Sequence, residues 1–263
     1  MAGNGMRAFA SWNARWLVSP NTTRGARKKA AIERRLLEGR VVALQETHWD
    51  EAAVEVWAGL FAQARVAAAP ARPGPLGGPQ GGVAGIVPFP LVLESSAVLA
   101  DGCAVEARVW DPASRAAFRV RSVYFPPGAR REALDSLVRA RGAEAEPLFE
   151  FGDINLDVNG PRGDDEREDL VSYSAYLRRE GSVRLEWAGP TRRGGQGAPA
   201  CLDVAAAPMQ DAWQYQVRAS WLRDLSDHAM LLATAQAQAG FRARLCCPAT
   251  MAASLPKLAV TFV

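Results

Sequence analysis

Cysteine and histidine are scarce in this sequence, which contains four cysteines and two histidines among 263 residues. Cys103, Cys201, Cys246 and Cys247 have neither Cys-x-x-Cys spacing nor a histidine close by, so a structural zinc site is not expected. The N-terminus lacks an apolar signal core, and no run of about 18 apolar residues could cross a bilayer. We therefore expect an intracellular protein, nuclear or cytoplasmic, that is neither secreted nor membrane-bound.

Lysine is nearly absent as well, because Lys28, Lys29 and Lys257 are the only lysines among 31 basic residues. The net charge of +3 and the pI of about 8.8 permit a polyanionic partner without identifying one. Arg24 and Arg27 form a basic cluster with the first two lysines. We interpret this cluster as the solvated face of a helix, with a nuclear localisation signal as the alternative.

The length and the hydrophobic content of 49% are sufficient for one large domain with a substantial core. We predict that this domain spans residues 1–240. Residues 241–263 contain two prolines and no clear periodicity, so they are predicted to be a tail or linker.

Apolar strands alternate with helices along the chain, as hydrophobic periods of two and of about 3.6 indicate. Predicted helices cover residues 22–37, 130–140 and 166–179, and predicted strands cover residues 8–12, 41–44, 82–87, 91–99, 105–110, 118–124, 148–151, 202–205 and 229–235. Glycine, proline and turn formers predict loops at residues 70–82, 153–165 and 189–199. Strands in hairpin-like succession together with long helices predict an α/β fold with two face-to-face sheets and helices outside.

Polar residues lie at the ends of several of these apolar strands. They are Asn13, Gln45, Glu46, Tyr124, Asp153, Asn155, Asp203, Asp227 and His228. Strand ends of a packed sheet converge on one rim, so these side chains are expected to meet there. Each of them alone is also compatible with a turn, a cap or a core position.

Four motifs occur in the order in which they resemble the endonuclease/exonuclease/phosphatase superfamily. They are Ser-Trp-Asn ending at Asn13, Leu-Gln-Glu-Thr around Glu46, Gly-Asp-Ile-Asn around Asp153 and Ser-Asp-His ending at His228. Residues 81–84 and Tyr124 fall where that family has a glycine-led strand and a tyrosine. The resemblance implies a four-layer α/β sandwich like that of deoxyribonuclease I, with two mixed sheets flanked by helices.

The resemblance also implies roles for individual residues in phosphodiester hydrolysis. Glu46, with Asn13 and Asp227 as neighbours, would hold Mg²⁺, with Mn²⁺ as an alternative. Asp153 would orient or deprotonate the attacking water, and Asp203 would hold His228 against the phosphate. The remaining predicted phosphate and substrate contacts are Tyr124, Asn155, Thr191, Arg192, Arg193 and Ser226.

The sequence departs from the family pattern at two positions. Arg15 stands where repair enzymes of this superfamily usually carry Asp or Asn, so the metal geometry is expected to differ. Pro127 follows Tyr124 where nucleases often have an asparagine, which removes a polar side chain and an N–H that could contact DNA. His48 is expected to line the groove without a catalytic role.

Within the superfamily, the chain most resembles the endonuclease domains of LINE-type retrotransposons. This resemblance implies that it nicks DNA, that it belongs to a larger polyprotein with a reverse transcriptase, and that it needs no obligate protein partner. An abasic-site repair endonuclease would share the same catalytic residues. A phosphatase of phosphoinositides or other small phosphate esters is a third reading, since one fold serves both substrate classes. A non-catalytic binding protein is a fourth, although no expected catalytic residue is missing.

Overall fold

Two six-stranded β-sheets lie face to face, and helices cover the outer face of each. The structure is a computed structural model that describes residues 7–17, 19–74, 77–140, 146–193, 198–222 and 224–236. The predicted tail over residues 241–263 and the predicted domain end at residue 240 lie outside the described residues. None of the helices described in these ranges is long and apolar enough to cross a membrane.

The strands and helices are numbered separately in chain order. The strands are β1 (Ala8–Asn13), β2 (Val41–Gln45), β3 (Ala64–Ala69), β4 (Arg72–Pro73), β5 (Pro79–Gln80), β6 (Val83–Pro88), β7 (Val92–Ala100), β8 (Ala104–Asp111), β9 (Ala116–Tyr124), β10 (Leu148–Asp153), β11 (Ser182–Arg184), β12 (Asp203–Pro208), β13 (Tyr215–Ser220) and β14 (Met230–Ala235). The helices are α1 (Thr23–Leu37), α2 (Glu51–Leu60), α3 (Arg130–Arg139) and α4 (Gly163–Arg179).

Both large sheets are mixed. The first has the strand order β13-β14-β1-β2-β6-β3, in which β1 and β2 are parallel and their other neighbours are antiparallel. The second has the order β11-β12-β10-β9-β8-β7, in which only β9 and β10 run parallel. The short strands β4 and β5 form a separate two-stranded pair.

Three apolar layers hold the two sheets and the two layers of helices together. Phe9, Phe118, Phe149 and Phe151 pack in the layer between the sheets, where the ring centroids of Phe9 and Phe149 are 4.5 Å apart. Two further clusters bury α1 and α2 against the first sheet and α3 and α4 against the second. The predicted four-layer α/β sandwich is therefore confirmed.

Some elements were not predicted from the sequence. The helix α2 buries only Trp57, so its apolar residues do not repeat with a helical period, although Asp50 caps its first turn. The strand β13 lies at a sheet edge and has no buried residue, which leaves no strong alternation to recognise. The helix α4 begins at Gly163, inside the predicted loop 153–165, because Asp164, Asp165 and Glu166 favour the first turn of a helix.

The polar residues at the strand ends lie along one rim of the sandwich. Asn13 and Gln45 end neighbouring parallel strands of the first sheet and pair with each other in register. In the second sheet, Asp153 pairs with Tyr124 on one side and with Asp203 on the other. The predicted convergence on a single rim is thus what the strand register produces.

Candidate active site

Asp153 lies at the centre of this rim and is fully buried. Its Oδ2 accepts a hydrogen bond of 2.7 Å from Nδ2 of Asn13, and its Oδ1 accepts one of 2.9 Å from the backbone N–H of Asn155. Burial raises the pKa of Asp153 to about 7, although His228 and these hydrogen bonds act in the opposite direction. The first contact joins the two sheets directly at the rim.

Gly152 is required for the strand that presents Asp153. A Cβ atom at this position would lie 2.1 Å from the carbonyl oxygen of Val123 on the neighbouring strand β9. Only glycine therefore allows β9 and β10 to approach each other closely just before the Asp153 carboxylate.

His228 and Asp203 form a buried pair beside Asp153. Nδ1 of His228 lies 2.9 Å from Oδ2 of Asp203, and Nε2 lies 3.8 Å from Oδ2 of Asp153. Burial lowers the pKa of His228, but the negative charge and hydrogen bond of Asp203 outweigh it and raise the pKa to about 9. The imidazole is consequently a cation at neutral pH, with its Nε2 side facing the rim.

Glu46 follows β2 on the opposite sheet and adopts a left-handed backbone conformation with φ of 49°. Burial alone would raise the pKa of Glu46, but the neighbouring polar groups of His48, Asn13 and Tyr124 lower it. Burial and the charges of Glu46 and Asp153 raise the pKa of Tyr124. The carboxyl group is therefore ionised, and the phenol keeps its proton.

Asp227 pairs with Arg15, the residue at which the sequence departs from the family pattern. Nη1 of Arg15 lies 2.7 Å from Oδ2 of Asp227, and Nε of Arg192 lies 3.6 Å from the same oxygen. Burial raises the pKa of Asp227, but the hydrogen bond and charge of Arg15 lower it overall. The other carboxylate oxygen, Oδ1, is buried without a hydrogen-bond partner among the described residues.

Thr191 and Ser226, both predicted to contact substrate, are engaged in holding the site together. Thr191 is fully buried, and its hydroxyl accepts the backbone N–H groups of Leu202 and Asp203 at 3.0 and 3.1 Å. Ser226 donates its hydroxyl to the carbonyl of Asn13 at 2.8 Å and accepts the N–H of His228 at 3.1 Å. The burial of Thr191 leaves it no exposed surface for the predicted substrate contact.

Arg192 and Arg193 are exposed beside the rim and line a cavity of about 720 Å³. Arg15, Arg130 and Arg162 line it too, so that five arginines face three carboxylates there. Asn155 and Pro127 belong to the same cavity. Arg130 and Arg162 could not be identified from the sequence, because they begin or precede helices far apart in the chain and only the fold brings them together.

The basic cluster of α1 differs from the prediction at Lys28. This side chain is fully buried rather than solvated, and it donates hydrogen bonds to the carbonyls of Ala14, Arg15 and Trp16. The buried ammonium group thus satisfies the backbone of the loop that follows Asn13.

Several polar side chains of the rim have donor atoms for a cation. The ligand atoms of Asp153, Asp203 and His228 lie within 4.8 Å of one another. However, Nδ1 of His228 is engaged by Asp203, and Mg²⁺ prefers oxygen ligands. The ionised Glu46 and the unpartnered Oδ1 of Asp227 fit a hard cation better.

Comparisons with known proteins agree with this fold. The model of the Endonuclease/Exonuclease/phosphatase family matches residues 10–233, and the chain therefore belongs to this family. Members of the family are hydrolases of phosphodiesters or phosphate esters and typically use divalent metals. A comparison with curated protein sequences found no match.

Solved structures with the same fold include proteins of several functions. The endonuclease domain of TRAS1, a telomere-specific non-LTR retrotransposon, is 16% identical with a TM-score of 0.58, covering 88% of this chain and 99% of that domain. The AP endonuclease LMAP from Leishmania major is 15% identical, with a TM-score of 0.60 and 88% coverage of both chains. The human Nocturnin catalytic domain is 16% identical with a TM-score of 0.58, covering 87% of this chain and 93% of that one.

Proposed function

We propose that this protein is a divalent-metal-dependent phosphodiester hydrolase that nicks DNA, of the type found in non-LTR retrotransposons. The observation that carries the proposal is the rim where Glu46, Asp153 and the His228–Asp203 pair meet next to an arginine-lined cavity. Arginines outnumber carboxylates in that cavity, and this surplus of positive charge favours a nucleic-acid backbone with several phosphates over a single small phosphate ester.

In this proposal each side chain has a distinct task. Glu46 and Asp227 would hold Mg²⁺ or Mn²⁺ together with Asn13, and the cation would neutralise charge that develops on the phosphate. Asp153, with its pKa near 7, would orient or deprotonate the attacking water. The other side chains of the rim would donate hydrogen bonds to the phosphate oxygens. These side chains are the His228 cation, the protonated Tyr124 and the amide of Asn155.

Two of the residues predicted as substrate contacts, Thr191 and Ser226, receive positioning roles instead. Thr191 would fix the start of β12 and thereby the carboxylate of Asp203. Ser226 would tie the loop of His228 to the end of β1, where Asn13 lies. Both tasks follow from hydrogen bonds to backbone atoms.

Side-by-side assays distinguish this proposal from the repair and phosphatase readings. Supercoiled plasmid, a duplex with one abasic site and a phosphoinositide would each be incubated with the protein, in Mg²⁺ and in EDTA. We expect Mg²⁺-dependent nicking of the plasmid. Cleavage confined to the abasic duplex would favour a repair enzyme, and hydrolysis of the phosphoinositide alone would favour a phosphatase.

His228→Ala and Asp203→Asn should each slow DNA cleavage roughly a hundredfold or more, because both act on the same phosphate contact. The double variant should lose less than the sum of the two losses in free energy, since Asp203 acts only through His228. Single-turnover rates of the four proteins at saturating DNA would measure this coupling. Fully additive losses would contradict the positioning role of Asp203.

Replacing both Arg192 and Arg193 by alanine should weaken DNA binding and flatten its dependence on salt. Each phosphate contact that is lost reduces counterion release, so the slope of log K against log salt should fall by about one per contact. Fluorescence anisotropy with a short duplex in EDTA would measure both quantities.

A matched control replaces Arg178 and Arg179, an exposed pair at the far end of α4. This variant removes the same charge from the chain but does not touch the cavity. Equal effects of the two double variants would mean that net charge, and not the cavity, determines binding.

A further inference from the structure

Trp16 is an exposed aromatic residue next to the catalytic rim. Of its surface, 57% is accessible, and its indole ring stacks on the imidazole of His48 with centroids 4.3 Å apart and an interplanar angle of 9°. His48 therefore covers one face of the indole, while more than half of the residue remains accessible to a ligand.

The stacked rings of Trp16 and His48 lie next to Glu46, the proposed ligand of the cation. Nε2 of His48 lies 3.8 Å from Oε2 of Glu46, and the backbone N–H of Trp16 donates to the carbonyl of Glu46 at 3.1 Å. Arg15, which precedes Trp16 in the chain, lines the basic cavity described above. The indole thus lies one residue away from that cavity.

The segment that presents Trp16 is held in place from two sides. The N–H of Leu17 donates to the carbonyl of Thr47 at 3.1 Å, and Nε1 of Trp49 donates to the carbonyl of Leu17 at 2.7 Å. On the inner side of this segment, the buried Lys28 donates hydrogen bonds to three consecutive carbonyls, including that of Trp16. Nδ1 of His48 is fixed by the carbonyl of Pro79 at 2.7 Å.

A gain in the stability of the fold does not explain the exposed position of Trp16 on His48. Trp16 and His48 have φ angles of 64° and 55°, a region that costs free energy for residues other than glycine. An indole that stays more than half exposed gains little from burial in return. Strain and exposure that are maintained by several hydrogen bonds are typical of a preorganised binding surface.

We propose that Trp16, supported by His48, is a stacking platform for an unpaired nucleobase next to the phosphate that is cut. This inference rests on the proposed function, because the ligand is a nucleotide of the DNA substrate. Every base has a π-face, so such a platform binds bases with little regard to sequence. A planar, electron-rich indole held on a second ring suits this ligand class.

Equilibrium binding in EDTA tests the platform without catalysis. The probes are a short fluorescein-labelled oligothymidylate and an oligomer of equal length in which tetrahydrofuran units replace the nucleosides. Wild-type protein should bind the oligothymidylate more tightly than the baseless oligomer. Trp16→Ala should lose roughly fivefold to a hundredfold in affinity for the oligothymidylate, with unchanged affinity for the baseless chain.

Two further variants separate stacking from other roles. Trp16→Phe keeps an aromatic face and should retain most of the preference, whereas Trp16→Leu keeps apolar contact with His48 and should not. Trp213 serves as the matched control, because it is 64% exposed and follows the end of β12 opposite to Asp203. Trp213→Ala should bind both probes as the wild type does.

Several results would overturn the platform. They are equal binding of both probes by the wild type, no greater loss for Trp16→Ala than for Trp213→Ala, and an equal loss on the baseless oligomer. Thermal melting followed by circular dichroism would show that the Trp16 variants are folded. Mg²⁺-dependent nicking of plasmid by the wild type tests the proposed function separately, so that each proposal can fail alone.

Discussion

Glu46→Gln is expected to reduce Mg²⁺-dependent DNA cleavage roughly a hundredfold or more, which corresponds to about 3 kcal/mol in the activation barrier. The neighbours of Glu46 hold its pKa below the usual value, so the wild-type side chain presents a full negative charge. Glutamine keeps the shape and one oxygen but removes that charge from a cation with few protein ligands. Cleavage rates over a range of Mg²⁺ concentrations would measure the loss.

A second measurement separates metal binding from catalysis. Titration calorimetry with Mg²⁺ or Mn²⁺ should show weaker binding to Glu46→Gln, and thermal melting without metal should show an intact fold. Glu51→Gln, at the exposed start of α2, is the matched control and should behave as the wild type. Near-normal cleavage and metal affinity of Glu46→Gln would remove Glu46 from the metal role.

The position of the candidate site could be predicted because it depends on strand ends. Asn13, Tyr124 and Asp153 each end an apolar strand, and apolar runs are the clearest signal in a single sequence. Parallel neighbours and matching registers then bring such residues to one rim. The order of the motifs identified the family, and residues 10–233 match its model.

The pairing of individual side chains could not be predicted in the same way. Arg15 was recognisable as a departure, but its contact with Asp227 joins residues from opposite ends of the domain. Lys28 was assigned to a solvated face because charged residues surround it in sequence, whereas the fold turns it toward the carbonyls of three consecutive residues. Such contacts depend on loop conformations, and a hydrophobic pattern contains no information about those.

The polar face of β9 is a further example of contacts that the sequence does not reveal. These contacts affect the stability of the fold. Arg119 and Arg121 alternate with apolar residues, a pattern that is typical of a strand with one face in water. In the structure both arginines are buried, because α4 covers this face of the second sheet. Arg121 lies 3.4 Å from Glu150, a fully buried carboxylate on the neighbouring strand β10.

A network of hydrogen bonds makes these buried charges tolerable. The hydroxyls of Tyr173 and Tyr176 donate to the two oxygens of Glu150 at 2.7 and 2.6 Å. Arg121 also contacts Glu106 at 3.0 Å and Glu180 at 3.3 Å. Burial nevertheless raises the pKa of Glu150, although Arg121 and the two tyrosines act in the opposite direction. An ionised carboxylate in this layer therefore costs free energy.

Arg121→Met is therefore expected to lower the free energy of unfolding by about 3–5 kcal/mol, because Glu150 would lose its cation inside the protein. Combining Arg121→Met with Glu150→Gln should restore part of the stability, since the amide is neutral and can still accept from a tyrosine hydroxyl. Arg108→Met on the adjacent strand is the control: its side chain is 39% exposed, and a loss of at most about 1 kcal/mol is expected. Urea unfolding of the four proteins measures these differences. If Arg121→Met costs no more than Arg108→Met, or if the second substitution adds a further loss, then Glu150 does not depend on the charge of Arg121.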